Sequence, residues 1–142
     1  MYRFLIPALL LVFLMLTGHA KAARIVVTID GLHSSKGDVY VALFSKPDEF
    51  PDGDHSDQHV KVKAARGPVT IVFDHLRPGT YAVGAYHDEN ANGKFDTNFF
   101  GYPDEGYALS NGIRAIVSRP RFIDCAFAIG RGDTPVTLHI KY

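Results

Sequence analysis

Residues 69–87 read VTIVFDHLRPGTYAVGAYH, two runs of β-branched and aromatic side chains split by Arg77-Pro78-Gly79. Proline cannot donate to a ladder and glycine takes turn backbone at little cost, so one strand ends at Phe73 and the next fills 80–87. Gly84 and the alanines beside it leave room for a neighbour to come close. Upstream, residues 24–30 (RIVVTID) form a β-branched run that stops at Gly31. After the turn residues Ser34-Ser35-Lys36-Gly37, residues 38–44 alternate Val39, Val41 and Leu43 with Tyr40, Ala42 and Phe44. This pattern predicts a second strand paired to the first as a hairpin. Residues 45–58 are rich in Pro, Asp, Gly and His around Phe50 and predict an excursion with one helical turn. Residues 59–65 alternate Val60 and Val62 with lysines. Downstream lie a short apolar run at 113–117, a predicted strand at 121–129 and a final one at 134–142 carrying Val136, Leu138 and Ile140. About seven short strands with Gly/Pro turns and no amphipathic helix predict an all-β, two-sheet antiparallel sandwich, immunoglobulin-like or transthyretin-like.

The first 22 residues form a different unit. Arg3 precedes an apolar run over 4–16, and Ala20-Lys21-Ala22 supplies the small residues a signal peptidase accepts. The run is short for a bilayer span, so 1–22 reads as a cleaved signal peptide and 23–142 as one β-sandwich domain. An uncleaved anchor is the alternative, with Lys21 and Arg24 as its flanks. Export places the domain in the periplasm or outside the cell, with no membrane span after cleavage. Loss of Arg3 and Lys21 takes the fifteen basic residues to thirteen, against fifteen acidic ones. That near-balance, with no basic run, gives no footprint for nucleic acid or an anionic bilayer. Cys125 is the sole cysteine, so no intramolecular disulfide forms; within Phe122-Ile123-Asp124-Cys125-Ala126-Phe127 it reads as a small buried hydrophobe.

The chemistry concentrates in residues 88–98, Asp-Glu-Asn-Ala-Asn-Gly-Lys-Phe-Asp-Thr-Asn. Oxygen-bearing side chains stand at relative positions one, three, five and nine, with Gly93 at six. Calcium takes six to eight oxygens, and a tight loop turns alternate side chains inward only if it bends sharply halfway. Asp88, Asn90, Asn92 and Asp96 are the candidate side-chain ligands, with the Lys94 carbonyl. Phe99 occupies the position where an EF-hand carries its bidentate acid, and the flanks are not helical, so an EF-hand is excluded. Asp104 or Glu105 is left to close the shell. The alternative is a polar turn satisfied by its own hydrogen bonds, for which Asn, Asp and Gly are equally suited.

Leu76-Arg77-Pro78-Gly79-Thr80-Tyr81-Ala82-Val83, then His87 through Gly101, Pro103, Glu105-Gly106-Tyr107 and Ser110-Asn111, resemble domain-of-unknown-function family 2141, an uncharacterised family of bacterial exported proteins. The resemblance implies a secreted or periplasmic β-sandwich without an assigned activity. The loop is also similar to the calcium loops of bacterial surface-adhesin B-type repeats, which usually carry an acid at the place of Phe99.

Other constellations are weaker. His55 and His59, beside Asp54 and Asp57, have zinc-like spacing only if helical, and Pro51 and Gly53 oppose a helix. His87 is placed to orient the Asp88 carboxylate or simply to end a strand. Phe99, Phe100, Tyr102 and Tyr107 read as anchors that pack the loop onto the sandwich, or else as a sugar- or peptide-binding face. Ser110, His87 and Asp88 lack a nucleophile elbow or an oxyanion hole. The expectation is therefore a non-catalytic exported module with a structural calcium loop that meets a protein or glycan partner. A periplasmic enzyme using the loop for a catalytic metal, and a plain scaffold without metal, are the alternatives.

Overall fold

The computed structural model describes residues 21–115 and 118–142. The expected leader therefore lies outside the described residues except for Lys21 and Ala22, as do Ile116 and Val117 of the 113–117 run. Among the described residues, eight strands make two sheets: β1 Ala23–Asp30, β2 Asp38–Phe44, β3 Gln58–Lys63, β4 Val69–Leu76, β5 Gly79–Asp88, β6 Tyr107–Leu109, β7 Phe127–Ile129 and β8 Gly132–His139. One sheet has the order β4-β1-β8; the other runs β3-β2-β5-β6, with β7 also paired to β5. The two-sheet sandwich of the sequence reading is thus what forms. Among these described residues no helix is long and apolar enough to cross a membrane.

The predicted hairpin between the first two strands does not form. β1 pairs with β4 and, in parallel, with β8, whereas β2 pairs with β3 and β5, so residues 31–37 cross from one sheet to the other. Periodicity identifies strands but is blind to partners: β1 has every second residue buried, and either sheet could use that pattern. The predicted strand at 121–129 splits into a single helical turn, α1 Phe122–Cys125, followed by β7. β6 was too short to read from its three residues.

Ile25, Val27 and Ile29 of β1, Phe73 of β4 and Leu138 of β8 face Val39, Val41 and Leu43 of β2 and Val83 of β5 across the sandwich. Each such side chain contributes roughly 1.5–3 kcal/mol by leaving water. A second cluster covers the outer face of the larger sheet: Phe44, Phe50, Ala82, Tyr107, Leu109, Phe122 and Cys125. Phe50, the one large apolar residue of the 45–58 excursion, packs edge-on against Phe44 and Phe122. Cys125 is fully buried there, as expected, and burial pushes its thiol up to about 11.

The start of β2 is locked to the end of β5. Gly37 has φ +68°, and a side chain there would overlap the Asp88 carbonyl oxygen. Both backbone strain and an immovable neighbour oppose a Cβ, so Gly37→Ala is expected to cost roughly 3 kcal/mol or more in urea unfolding. A cost below about 1 kcal/mol would show that the two strand ends can separate without penalty.

Candidate cation-binding loop

β5 delivers the first candidate ligand. Its residues alternate between the sandwich interior (Val83, Ala85, His87) and the outer cluster (Ala82, Gly84, Tyr86), and the alternation puts Asp88 on the outer side with no accessible surface. A buried carboxylate needs donors, and the following turn provides them: the Asn92 amide donates to Oδ1 at 3.2 Å and the Gly93 amide to Oδ2 at 2.8 Å. Gly93 has φ +76° and Ala91 φ +56°, so the turn takes left-handed backbone at two places to aim those amides. Asp38, cross-strand from Asp88, takes the Lys63 ammonium at 2.7 Å, which holds its carboxyl below the usual carboxylate range.

The remaining candidates converge on Asp96. Asn90 and Asn92 each donate a side-chain N–H to Asp96 Oδ2 at 2.8 Å, while their own oxygens accept the amides of Asn92 and Lys94. The Lys94 side chain points to solvent. Glu105, and not the exposed Asp104, folds back: its Oε2 accepts the Asp96 amide at 3.1 Å, and the Asp104 amide closes the loop on the Asp96 carbonyl at 3.0 Å. Of the two acids, Glu105 is the one whose side chain reaches the Asp96 backbone. Glu105 is 8 % exposed, and its Oε1 is buried with no hydrogen-bond partner. Burial raises its carboxyl above the ordinary range, the Asp96 amide opposes the shift, and the charges of Asp88 and Asp96 add to it. None of the ion pairs among the described residues involves Asp88, Asp96 or Glu105. Nor are any three His, Cys, Asp or Glu side chains among those residues already gathered as a metal group.

Residues near the loop divide between those that match the sequence reading and the aromatics, which do not. His87 turns into the interior and does not orient Asp88: its Nε2 donates to the Lys36 carbonyl at 2.7 Å, which leaves Nδ1 to accept the Tyr142 hydroxyl. The Ser110 hydroxyl donates to the Cys125 carbonyl at 2.6 Å and accepts the Val83 amide at 3.0 Å. Phe99 and Phe100 do not anchor the loop, being 97 % and 80 % exposed. The anchor is Phe95, which the sequence reading passed over. It packs on Tyr86 at 5.3 Å and on Tyr107 at 5.9 Å. Glu89 ties the loop to the 31–37 crossover by accepting from Ser34 and His33, contacts that hold its carboxyl below the usual range.

Fold and loop together define a small two-sheet sandwich with an oxygen-rich excursion at the end of its central strand. The chain belongs to the family of uncharacterized proteins conserved in bacteria, DUF2141, whose model matches residues 27–137 and so includes the whole loop. No curated protein and no solved structure matches it.

A desolvated carboxylate with one oxygen lacking a donor, beside two other carboxylates, is a local liability. Glu105→Gln keeps an oxygen for the Asp96 amide and removes the charge. In chelator at neutral pH it is expected to stabilise the protein by roughly 1 kcal/mol, seen as a higher thermal midpoint. A lower midpoint would mean that the Glu105 charge already has a compensating partner.

Proposed function

We propose that this protein is an exported, non-catalytic module in which a calcium ion orders the 88–105 loop. The observation that carries the reading is the buried, partnerless Oε1 of Glu105 beside the carboxylates of Asp88 and Asp96. The group has an excess of negative charge and no cationic side chain paired to it, a deficit that a hard divalent cation offsets. Its donors are all oxygens: the three carboxylates, the Lys94 carbonyl, and Asn90 and Asn92. The two amides bond Asp96 through nitrogen while their oxygens accept the Asn92 and Lys94 amides, so a cation has to draw on the free lone pair of each oxygen. Dissociation constants of about 10⁻⁴ to 10⁻³ M are typical for calcium in extracellular modules and suit a periplasmic or secreted protein. Export is supported by the leader pattern and by the start of β1 at Ala23, directly after the proposed cleavage point.

One observation favours a second reading, the plain scaffold. The loop closes through its own hydrogen bonds, with Asp88 and Asp96 accepting two each. Calcium titration with thermal unfolding separates the two. A ligand bound only by the native state, at a hundred times its dissociation constant, adds about 2.7 kcal/mol. Asp88→Ala and Asp96→Ala are each expected to remove most of that gain. Lys94→Ala, which keeps its backbone carbonyl, is expected to retain it. An unchanged wild-type midpoint at millimolar calcium would leave the scaffold as the reading that stands.

A further inference from the structure

Seven large apolar side chains are exposed among the described residues, and four of them, Phe95, Phe99, Phe100 and Tyr102, sit in one short stretch of the loop. The tip is rigid. Asn98 Oδ1 accepts the amides of Phe100 and Tyr102 at 2.9 and 3.1 Å, the Gly101 amide donates to the Asn98 carbonyl at 2.9 Å, and Thr97 bridges Pro103. Phe99 and Phe100 are thereby held edge to face, 5.5 Å between centroids, in water. Exposed aromatics concentrated and preorganised in this way mark a contact surface.

The same face carries a matching hollow. Ala42 and Gly84, the small residues of β2 and β5, floor an apolar cleft of about 230 Å³ walled by Tyr40, Tyr86, Phe95 and Tyr107. It opens toward a second, more polar hollow bordered by Phe100 and Arg119. A cavity of about 150 Å³ already accepts a benzene ring, so the cleft is of a size to take a phenylalanine side chain. Charge is complementary as well. The aromatic tip is flanked by the exposed Asp104, while the rim of the hollows carries Arg114, stacked on Tyr107, and Arg119. Among the described residues neither arginine is paired with a carboxylate.

We propose that the partner for this face is a second copy of the chain, in a two-fold arrangement that seats one ring of each Phe99–Phe100 pair in the other copy's cleft and the second ring against its more polar hollow, with Asp104 against the other's arginines. Knob and hollow lie side by side on one surface, the condition for a self-complementary interface that closes as a dimer. Two phenylalanines per copy, each burying about 150–250 Å², together with the walls they cover, amount to an interface on the order of 1,000 Å². That is near the lower limit for a specific interface. A bilayer is the poorer occupant, because the loop carries five carboxylates against the single Lys94 and anionic headgroups would repel it. The dimer does not rest on the cation reading.

Sedimentation velocity of the purified protein over about 1–500 μM, in chelator, tests it across the affinities expected for an interface of this size. The expected result is a monomer–dimer equilibrium that tightens as salt is lowered. F99D/F100D, at exposed positions, and Ala42→Leu, which fills the cleft, should each weaken it at least tenfold while leaving the unfolding midpoint unchanged. A monomer throughout the range, or a dimer that F99D/F100D leaves intact, overturns the proposal. So does a monomer that binds phosphatidylglycerol–phosphatidylethanolamine vesicles through the two phenylalanines, which would assign the tip to a membrane.

Discussion

β5 lies in the interior of the larger sheet, and both of its faces need cover. One face meets β1, β4 and β8 across the main core. The other belongs to the second cluster, and among the described residues no third sheet shields it. The long connections take that role instead: Phe50 comes from the 45–58 excursion, Phe122 and Cys125 from α1, and Phe95 from the loop after Asp88. Because burial continues to the last residue of β5, the outward-alternating Asp88 is carried out of water along with its apolar neighbours. The carboxylate then requires donors, and the geometry of the following turn is the answer to that requirement.

Satisfying Asp88 leads to a second problem. The turn that supplies its amides brings Asn90, Asn92 and Asp96 together, and Asp96 in turn draws in Glu105 through its own amide. Each carboxylate finds a donor, but Glu105 Oε1 does not, and the Glu105 carboxyl is raised because burial and two neighbouring charges outweigh the Asp96 amide. Such a group is the feature on which the proposed cation site rests. The amides around Asp96 close the loop through its own hydrogen bonds.

The aromatic residues of the loop divide by depth. Phe95 and Tyr107 lie against the sheet and fix the loop to it, whereas Phe99 and Phe100 project from a tip that Asn98 stiffens. An exposed pair serving only packing would lose nothing by being polar. Its rigidity, and the ring-sized hollow next to it, are what a self-complementary surface requires.

Much of the fold was written in the sequence. The alternation in β1, β2, β3 and β8 revealed strands because a half-buried strand must repeat every two residues. The Asp/Asn spacing about Gly93 revealed the loop because these side chains accept backbone amides two to five residues on and so close a turn. Strand partners were a different matter: β1 and β2 carry the same pattern, and only burial of both against opposite sides of one core separates them into different sheets. The single helical turn at Phe122–Cys125 was hidden in an apolar run that suits either strand or helix. For the site, sequence supplied Asp88, Asn90, Asn92 and Asp96, while the choice of Glu105 over Asp104 depended on the return path of the chain. Whether Phe99 is an anchor or a knob rested likewise on which way the tip faces. Local pattern fixes what a segment can become, and long-range packing fixes which residues meet, since contacts between distant segments leave no period in the sequence.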